Sequence, residues 1–233
     1  MSTVADNVKR LREEIAGAAI RAGRTPQDVK LMAVTKTQPP SAVNEAIAAG
    51  ITLLGENRAQ ELCAKYDEYD RNPDVEIHFI GHLQTNKVKM ILDKVSLVQS
   101  VGSLRLAKEI SKQGAAANIT TGLLLEINIG GEESKGGVPP DEAEQLVREI
   151  ALLPAIQLRG LMAIPPIWQE NGGGERFFAQ MQEMLVDIRG KKIDNVSMDI
   201  LSMGMSDDFD VAIKHGSTLV RVGTAIFGQR QRI

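Results

Sequence analysis

Aromatic residues and cysteine are scarce in this sequence, and long apolar runs are missing. Phe, Trp and Tyr together make up 3% of the 233 residues, so the core must be mainly aliphatic. The single cysteine, Cys63, excludes an internal disulfide, and with one cysteine and three histidines in all we do not expect a structural zinc site. No apolar stretch could span a bilayer, and the charged segment Asp6–Glu14 does not resemble a signal peptide. We therefore expect a cytoplasmic protein without a disulfide or a membrane span.

A strong charge of either sign is also missing. The net charge of -3 and the isoelectric point near 5.7 do not favour a surface for nucleic acid. The length fits one large domain, and a hydrophobic content of 43% can fill its core. These values indicate a globular protein whose partners are small molecules or other proteins.

Apolar, strand-like runs alternate with helical patterns along the chain. The runs are Leu31–Thr35, Leu53–Glu56, Ile77–Gly81, Ser96–Ser100, Gly122–Ile129, Leu158–Ile164, Met198–Met203 and Leu219–Val222. Eight such units predict an α/β fold, a (β/α)8 TIM barrel, and a doubly wound open sheet is the alternative. We expect a single domain over residues 1–233, with an N-terminal helix and lead-in at 1–29 and the barrel at 30–228.

Lys36 stands directly after the first strand-like run and before the loop Gln38–Pro40. In a parallel α/β protein, the carboxyl ends of the strands gather the functional side chains. A lysine that is shielded from water there can lose its proton and attack a carbonyl carbon to form a Schiff base. The sequence therefore makes Lys36 the leading candidate for covalent attachment of an aldehyde.

The ends of the last two runs predict a phosphate site. Ser206 follows the seventh run, and Gly223 and Thr224 follow the eighth. Loops at these places in (β/α)8 barrels commonly bind phosphate, because glycine lets the backbone approach and hydroxyl and N–H groups donate to the oxygens. Asp207 and Asp208 would repel phosphate, so we expect one of them to cap the next helix.

Arg221 and Asn57 are candidates for contacts with an aromatic ligand. Arg221 lies in the last run and forms either a salt bridge at the barrel rim or a hydrogen bond to a ring nitrogen. Because arginine keeps its proton, it would hold a pyridine nitrogen unprotonated and make the ring a weak electron sink. Asn57 follows the second run and either caps the next helix or bonds a ring hydroxyl or the lysine.

Two arrangements suggest metal or nucleotide chemistry and fail in their context. Gly131 and Gly136 have the spacing of a P-loop, but Gly137 and Val138 follow where Lys and Ser or Thr are required. His78 and His82 have the spacing of a helical metal site, but on a strand and its exit four residues span roughly 13 Å. The chain has no Gly-x-Gly-x-x-Gly fingerprint for a dinucleotide and no Gly-x-Ser-x-Gly elbow for a hydrolase nucleophile. We expect no bound metal ion.

Several segments together resemble one protein family. They are Ala33–Thr37, Gly55–Asn57, His78–Lys87, Arg159–Met162, Leu201–Asp208 and Arg221–Gly228. Their order and identity resemble the YggS/PROSC family of pyridoxal 5′-phosphate (PLP) homeostasis proteins over nearly the whole chain. Thr35 stands where serine is common in that family, and Ile77 stands where an aromatic residue is common. Neither difference touches a proposed ligand contact.

The resemblance implies a fold and a set of ligand contacts. The fold is a barrel like the N-terminal domain of alanine racemase, with PLP held as a Schiff base on Lys36. The phosphate would be bound by Ser206, Gly223 and Thr224, and Arg221 would face the pyridine nitrogen. Asn57 and Met203 would line the pocket. The implied role is the binding and supply of this vitamin B6 cofactor, with no catalytic residue and no appreciable turnover.

The residues themselves bear on the question of turnover. A two-base racemase needs a second acid or base opposite the lysine, and the two tyrosines, Tyr66 and Tyr69, lie in a polar helical stretch. The leading hypothesis is a monomeric carrier that binds PLP and passes it to PLP-dependent apoenzymes, without nucleic acid or membrane. A barrel-only racemase or decarboxylase and a cofactor-free Schiff-base aldolase remain the alternatives.

Overall fold

Eight parallel strands form a closed barrel in the order of the sequence. The computed structural model describes residues 3–132, 136–166 and 174–228. The strands are β1 (Lys30–Val34), β2 (Leu53–Glu56), β3 (Glu76–Phe79), β4 (Leu97–Val101), β5 (Thr121–Glu126), β6 (Ile156–Met162), β7 (Val196–Ser202) and β8 (Leu219–Val222). Because β1 pairs with both β2 and β8, the sheet has no edge. The predicted (β/α)8 barrel is confirmed, and the open sheet is excluded.

Helices surround the barrel, and one helix precedes β1. They are α1 (Val4–Arg21), α2 (Pro40–Ala48), α3 (Ala59–Lys65), α4 (Val88–Ile91), α5 (Leu104–Ala117), α6 (Ala143–Ala151), α7 (Glu175–Gly190), α8 (Phe209–Lys214) and α9 (Thr224–Phe227). Across the described ranges, no helix has both the length and the apolar character that a membrane span requires. The same residues contain no group of three His, Cys, Asp or Glu side chains that could hold a metal ion.

The N-terminal helix α1 closes the outer layer where the barrel itself closes. It begins at a capping box, in which Thr3 Oγ1 accepts from the Asp6 N–H and the Asp6 carboxylate accepts from the Thr3 N–H. Its buried face, which includes Val8 and Leu11, packs in a layer shared with α2, α8 and α9. The helix therefore connects the element after β1 with the elements after β7 and β8.

The core has two aliphatic layers, as the low aromatic content predicts. Side chains alternate between the two faces of each strand, so Leu53 points into the barrel and Leu54 points towards the helices. The inward-facing apolar side chains form two clusters, made of Met32, Leu53, Ile80 and Leu219, and of Leu97, Leu124 and Met162. Four polar side chains are also buried on the inward-facing positions of their strands: His78, Gln99, Ser202 and Arg221.

Gly81 allows two strand exits to pack closely together. A Cβ atom at Gly81 would lie 2.1 Å from the carbonyl oxygen of Asn57. The adjacent Ile80 N–H donates to the Glu56 carbonyl oxygen at 2.8 Å, which holds the two exits side by side. The Asn57 backbone can therefore lie this close only because glycine, which has no Cβ atom, occupies position 81.

Replacing Gly81 with alanine is expected to destabilise the protein by about 1–3 kcal/mol, because the backbone must move to admit the Cβ atom. Urea unfolding followed by circular dichroism measures the change. Gly190→Ala, at the end of α7, is the matched control: a Cβ atom there meets no described atom within 4 Å. The control should change the free energy of unfolding by less than about 1 kcal/mol. Equal stability of the two variants would contradict the close packing at Gly81.

Candidate functional site

A cavity of about 260 Å³ opens among the carboxyl ends of β1, β2, β7 and β8. Active sites of this fold are built at this end of the barrel, and the volume is close to the lower limit for small-molecule pockets. Six of the seven residues expected to contact a ligand line it: Lys36, Asn57, Ser206, Arg221, Gly223 and Thr224. The remaining lining side chains include Val34, Ile80, Ile164 and Met205, which give the cavity apolar walls.

Lys36 lies two residues beyond β1, in a turn that is held from both sides. The Thr35 hydroxyl donates to Glu56 Oε1 at 2.6 Å, and the Thr37 N–H donates to the Glu61 carboxylate. Thr37 has a φ of 64°, in the left-handed region that a β-branched residue rarely adopts. The contact from Glu61 therefore stabilises a backbone conformation that the residue type alone disfavours, and this conformation places Lys36 in the cavity wall.

Glu56 is a fully buried carboxyl group behind this turn. Its Oε1 accepts from the Tyr69 hydroxyl at 2.7 Å as well as from Thr35, whereas Oε2 has no hydrogen-bond partner among the described residues. Burial raises the pKa of Glu56, and the bonds from Thr35 and Tyr69 only partly oppose that shift. Burial also raises the pKa of Tyr69. Tyr69 is thus engaged with Glu56 in the outer layer of the barrel.

Asn57 brings an unsatisfied polar atom to the cavity. Its Oδ1 is buried and makes no hydrogen bond within the described part of the chain. A buried acceptor without a donor costs about 1–3 kcal/mol, so such atoms are rare in folded proteins unless a ligand or water satisfies them. Of the two predictions for Asn57, a helix cap and a ligand contact, this geometry favours the ligand contact, since α3 has no side-chain cap.

Arg221 is a buried cation at the floor of the cavity. Its side chain donates to Ser202 Oγ at 2.6 Å and to the Ala163 carbonyl oxygen at 2.8 Å. Burial lowers its pKa to about 10, and the charges of Asp208 and Glu126 oppose the shift, so the guanidinium stays protonated at neutral pH. The alternative of a salt bridge at the barrel rim is not seen in the described ranges, where Arg221 forms no ion pair.

The loop after β7 is shaped by Asp208. Its carboxylate accepts from the Met205 N–H at 2.6 Å, and the Met205 carbonyl oxygen accepts from the Phe209 N–H at 3.0 Å. Asp208 precedes α8 but makes no side-chain cap to it, because its side chain turns back to the loop. The expectation that one of Asp207 and Asp208 caps this helix is therefore wrong for Asp208, the residue at the N-cap position. The loop instead brings Ser206 to the cavity wall that it shares with Gly223 and Thr224.

Met203, the seventh expected contact, lies elsewhere. Side chains alternate at the end of β7, and because Ser202 points into the barrel, Met203 points outward. It is fully buried in the cluster between the strands and the helices, and the methionine of the cavity wall is Met205. The sequence predicts that side chains of β7 alternate between two faces, but it does not tell which of the two faces points into the barrel.

Three polar residues near the site were not singled out from the sequence. Glu126 ends β5 at the mouth of the barrel, where burial raises its pKa against the charges of His82 and Arg221. The sequence did offer a signal for Glu126, because this carboxylate directly follows a run of leucines, just as Lys36 follows an apolar run. Gln99 and Ser202 lie within apolar strands, and nothing in the sequence distinguishes them from outward-facing polar residues.

Comparison with known proteins gives a consistent assignment. Residues 2–231 match the family model described as alanine racemase, N-terminal domain. A pyridoxal phosphate homeostasis protein from Pseudomonas aeruginosa is 42% identical over 230 residues, which cover 99% of this chain and 97% of that protein. The protein of the same name from Aquifex aeolicus is 41% identical over 226 residues, which cover 97% and 98%.

Solved structures share the same barrel. PipY from Synechococcus elongatus, with PLP bound, is 32% identical with a TM-score of 0.80 and is matched over 92% of this chain and 100% of its own. A protein from Bifidobacterium adolescentis is 38% identical with a TM-score of 0.92, over 96% and 94%. An alanine racemase from Clostridium difficile, at 16% identity and a TM-score of 0.73, shares the fold over 97% of this chain and 58% of its own. The chain belongs to the family of pyridoxal phosphate homeostasis proteins, whose barrel is that of the alanine racemase N-terminal domain.

Proposed function

We propose that this protein binds PLP and takes part in its homeostasis as a carrier, with Lys36 as the point of attachment. One observation carries the proposal: Lys36, Arg221, Ser206 and Thr224 all line the same cavity. The names of the relatives and the PLP bound to PipY support the identity of the ligand. The relatives that are about 40% identical to this chain are named homeostasis proteins, and the alanine racemase shares only the fold, which supports a role in storage and supply.

The polar groups of the cavity fit the aldehyde, the phosphate and the ring hydroxyl of PLP. Lys36 would hold the aldehyde end of the cofactor, which would supply a carbonyl carbon that an amine can attack with loss of water. Ser206 and the N–H groups at Gly223 and Thr224 are suited to the phosphate, because the first N–H groups of α9 have no partner within the helix. The buried Asn57 Oδ1 can accept a hydrogen bond from a ring hydroxyl, which would remove its unsatisfied state.

Arg221 favours storage over turnover. It presents a permanent donor to the floor of the cavity and has no proton to give up at neutral pH. Arg221 would hold a pyridine nitrogen unprotonated by donating to it, and the cofactor would then be a weak electron sink. The buried cation therefore suits a protein that holds the cofactor without activating it.

Neither tyrosine is placed as a second base. The Tyr69 hydroxyl donates to Glu56, and the Tyr66 ring lies under the Arg71 guanidinium at 3.7 Å. The cavity wall, as far as the structure describes it, includes neither side chain. A two-base racemase must transfer protons on both faces of its substrate. The positions of the two tyrosines do not support such a mechanism.

A single domain, a cytoplasmic location and a monomeric state belong to the same proposal. The Cys63 thiol is free, which suits a reducing compartment. Few large apolar side chains are exposed in the described ranges, and they are scattered. Ile20 lies on α1, Leu152 follows α6, Val186 lies on α7, and Ile164 and Met205 line the cavity. Scattered exposed residues of this kind do not form the continuous patch of an obligate interface.

Lys36→Ala is expected to abolish covalent attachment and to leave weak, phosphate-anchored binding. Borohydride reduction followed by peptide mass spectrometry should place the label on the Lys36 peptide of the parent and on no peptide of the variant. Lys112→Ala, which removes an exposed lysine on α5, is the control and should keep the label. Undiminished labelling of the Lys36→Ala variant would assign the attachment to another lysine.

Ser206→Ala and Thr224→Val should each weaken PLP binding by about tenfold or more, because a hydrogen bond to a charged group contributes about 1.5–3 kcal/mol. Their affinity for pyridoxal, which has no phosphate, should not change. Absorbance titrations with the two ligands measure both quantities. An equal loss of affinity for both ligands would mean that the variants disturb the whole cavity, and would remove these residues from the phosphate contact.

The supply role predicts transfer of the cofactor to a PLP-dependent apoenzyme. The loaded protein, mixed with a cofactor-free aminotransferase, should restore its activity, and an equal dose of free PLP gives the reference rate. The Lys36→Ala variant, mixed with the same dose, should behave as free PLP because it retains little cofactor. Failure of the loaded parent to reactivate the apoenzyme would leave binding intact but contradict supply.

A further inference from the structure

A chain of hydrogen bonds crosses the interior of the barrel. It begins at Arg221, whose guanidinium donates to Ser202 Oγ at 2.6 Å. Ser202 donates to Gln99 Oε1 at 2.7 Å, and Gln99 Nε2 lies 2.9 Å from His78 Nδ1. His78 Nε2 lies 3.5 Å from a carboxylate oxygen of Glu76. The path joins the cavity at one mouth of the barrel to a half-exposed carboxylate at the other.

The interior links of this chain are almost completely buried. Ser202 and Gln99 have no exposed surface, and Arg221 and His78 are 4% and 5% exposed. They come from four different strands, β8, β7, β4 and β3, and lie among the aliphatic clusters that fill the rest of the interior. Buried polar groups in such surroundings are costly unless each finds a partner, so the members of the chain depend on one another.

The direction of the chain is set at both ends. A guanidinium can only donate, so Ser202 Oγ must accept from Arg221, and its own proton is then directed to Gln99 Oε1. Gln99 Nε2 is left as a donor to His78 Nδ1. At the other end Glu76 can only accept, because the nearby His78 ring is the main cause that lowers its pKa to about 2, and its carboxylate lies 3.5 Å from His78 Nε2. Each of the three hydrogen bonds between Arg221 and His78 therefore donates away from the ligand cavity.

This direction specifies one tautomer of His78. Its Nδ1 must be unprotonated to accept from Gln99, and its Nε2 must carry the hydrogen that faces Glu76. Burial lowers the pKa of His78, with the nearby cations Lys30 and Arg159 acting in the same sense and Glu76 opposing, so the ring is neutral at pH 7. A neutral ring with the hydrogen on Nε2 completes the chain without a conflict of donors.

We propose that Ser202, Gln99 and His78 are positioning residues for Arg221, and that their one-directional hydrogen bonds hold the guanidinium in the orientation that it presents to the ligand. Arg221 has no ion pair in the described ranges, so its orientation rests on two acceptors, Ser202 Oγ and the Ala163 carbonyl oxygen. Only the first of these is a side chain that can rotate, and Gln99 is what fixes it. The effect on PLP rests on the function proposed above, whereas the chain itself exists without ligand.

The chain is tested first in the ligand-free protein. Nitrogen-15 NMR of the His78 ring should show the Nε2–H tautomer at pH 7, and the Arg221 guanidinium should give a distinct signal. Gln99→Leu, which keeps the approximate volume but breaks the central link, should shift the signals of His78 Nδ1 and of the Arg221 guanidinium, while Glu76 still favours the Nε2–H tautomer. An Nδ1–H tautomer in the parent, or an unmoved Arg221 signal in Gln99→Leu, would overturn the proposal whatever the protein binds.

The effect on the ligand is tested by titration with PLP. Gln99→Leu and His78→Phe should weaken binding by roughly 3- to 10-fold, the effect of about one hydrogen bond, and should shift the absorption spectrum of the bound cofactor. His78→Asn, whose Oδ1 can replace the Nδ1 acceptor, should restore parental binding and spectrum. Met162→Leu, a volume-conserving change in the same interior, is the control and should alter neither.

The outcomes separate the two proposals. A His78→Asn variant as impaired as His78→Phe, or a Met162→Leu variant as impaired as Gln99→Leu, would assign the effect to packing and overturn the positioning role. A parent protein that binds no PLP would overturn the proposed function, and the NMR measurements would still decide whether Gln99 and His78 orient Arg221.

Discussion

The burial of one cation, the Arg221 guanidinium, constrains the interior of this barrel more than any apolar contact does. Removing a charge from water costs several kcal/mol unless hydrogen bonds and opposite charges compensate. Here Ser202 and the Ala163 carbonyl oxygen accept its hydrogen bonds, and the carboxylates of Asp208 and Glu126 supply negative charge without direct contact. The cation can therefore stay charged and keep donors available to the ligand cavity.

The same requirement explains why the centre of an aliphatic barrel contains glutamine and histidine. A serine that accepts from arginine needs an acceptor for its own proton, and each further link passes that need onward until it reaches a carboxylate near solvent. The chain ends where water can satisfy the last group. The polar path is thus the structural consequence of placing one guanidinium in a closed barrel.

Lys36, beyond the end of the neighbouring strand β1, is positioned in a different way. Lys36 is placed by its backbone, because the turn that contains it is tied to the outer layer through Thr35 and Thr37. Lys36 and Arg221 are therefore positioned by independent contacts, one from the helical layer and one from the interior. Such independence would let the proposed covalent and noncovalent contacts with a ligand vary separately.

Much of this arrangement could be predicted from the sequence, for identifiable reasons. The eight apolar runs and their spacing predict the closed barrel, and the position of Lys36 directly after the first run predicts its place at the functional mouth. The glycine and hydroxyl residues after the last two strands similarly predict the wall of Ser206 and Thr224. Contacts that depend on the phase of a strand were not accessible: Met203 points outward, and the inward-facing Gln99 joins residues from strands distant in sequence. The loop contact of Asp208 also required the coordinates, because a helix cap and a loop anchor have the same sequence signature.

The two side-chain contacts that hold the Lys36 turn, from Glu61 to Thr37 and from Glu56 to Thr35, both depend on the same short segment of the chain. Glu61 lies in α3, a helix of seven residues, and the Tyr69 hydroxyl that orients Glu56 comes from the segment just after it. Opening of this short stretch would remove the Glu61 contact to Thr37 and the Tyr69 bond to Glu56, while the eight strands stay paired and Thr35 keeps its backbone bond to Gly55. The left-handed backbone at Thr37, and with it the position of Lys36, therefore depends on the local opening free energy of α3, which can be far smaller than that of global unfolding.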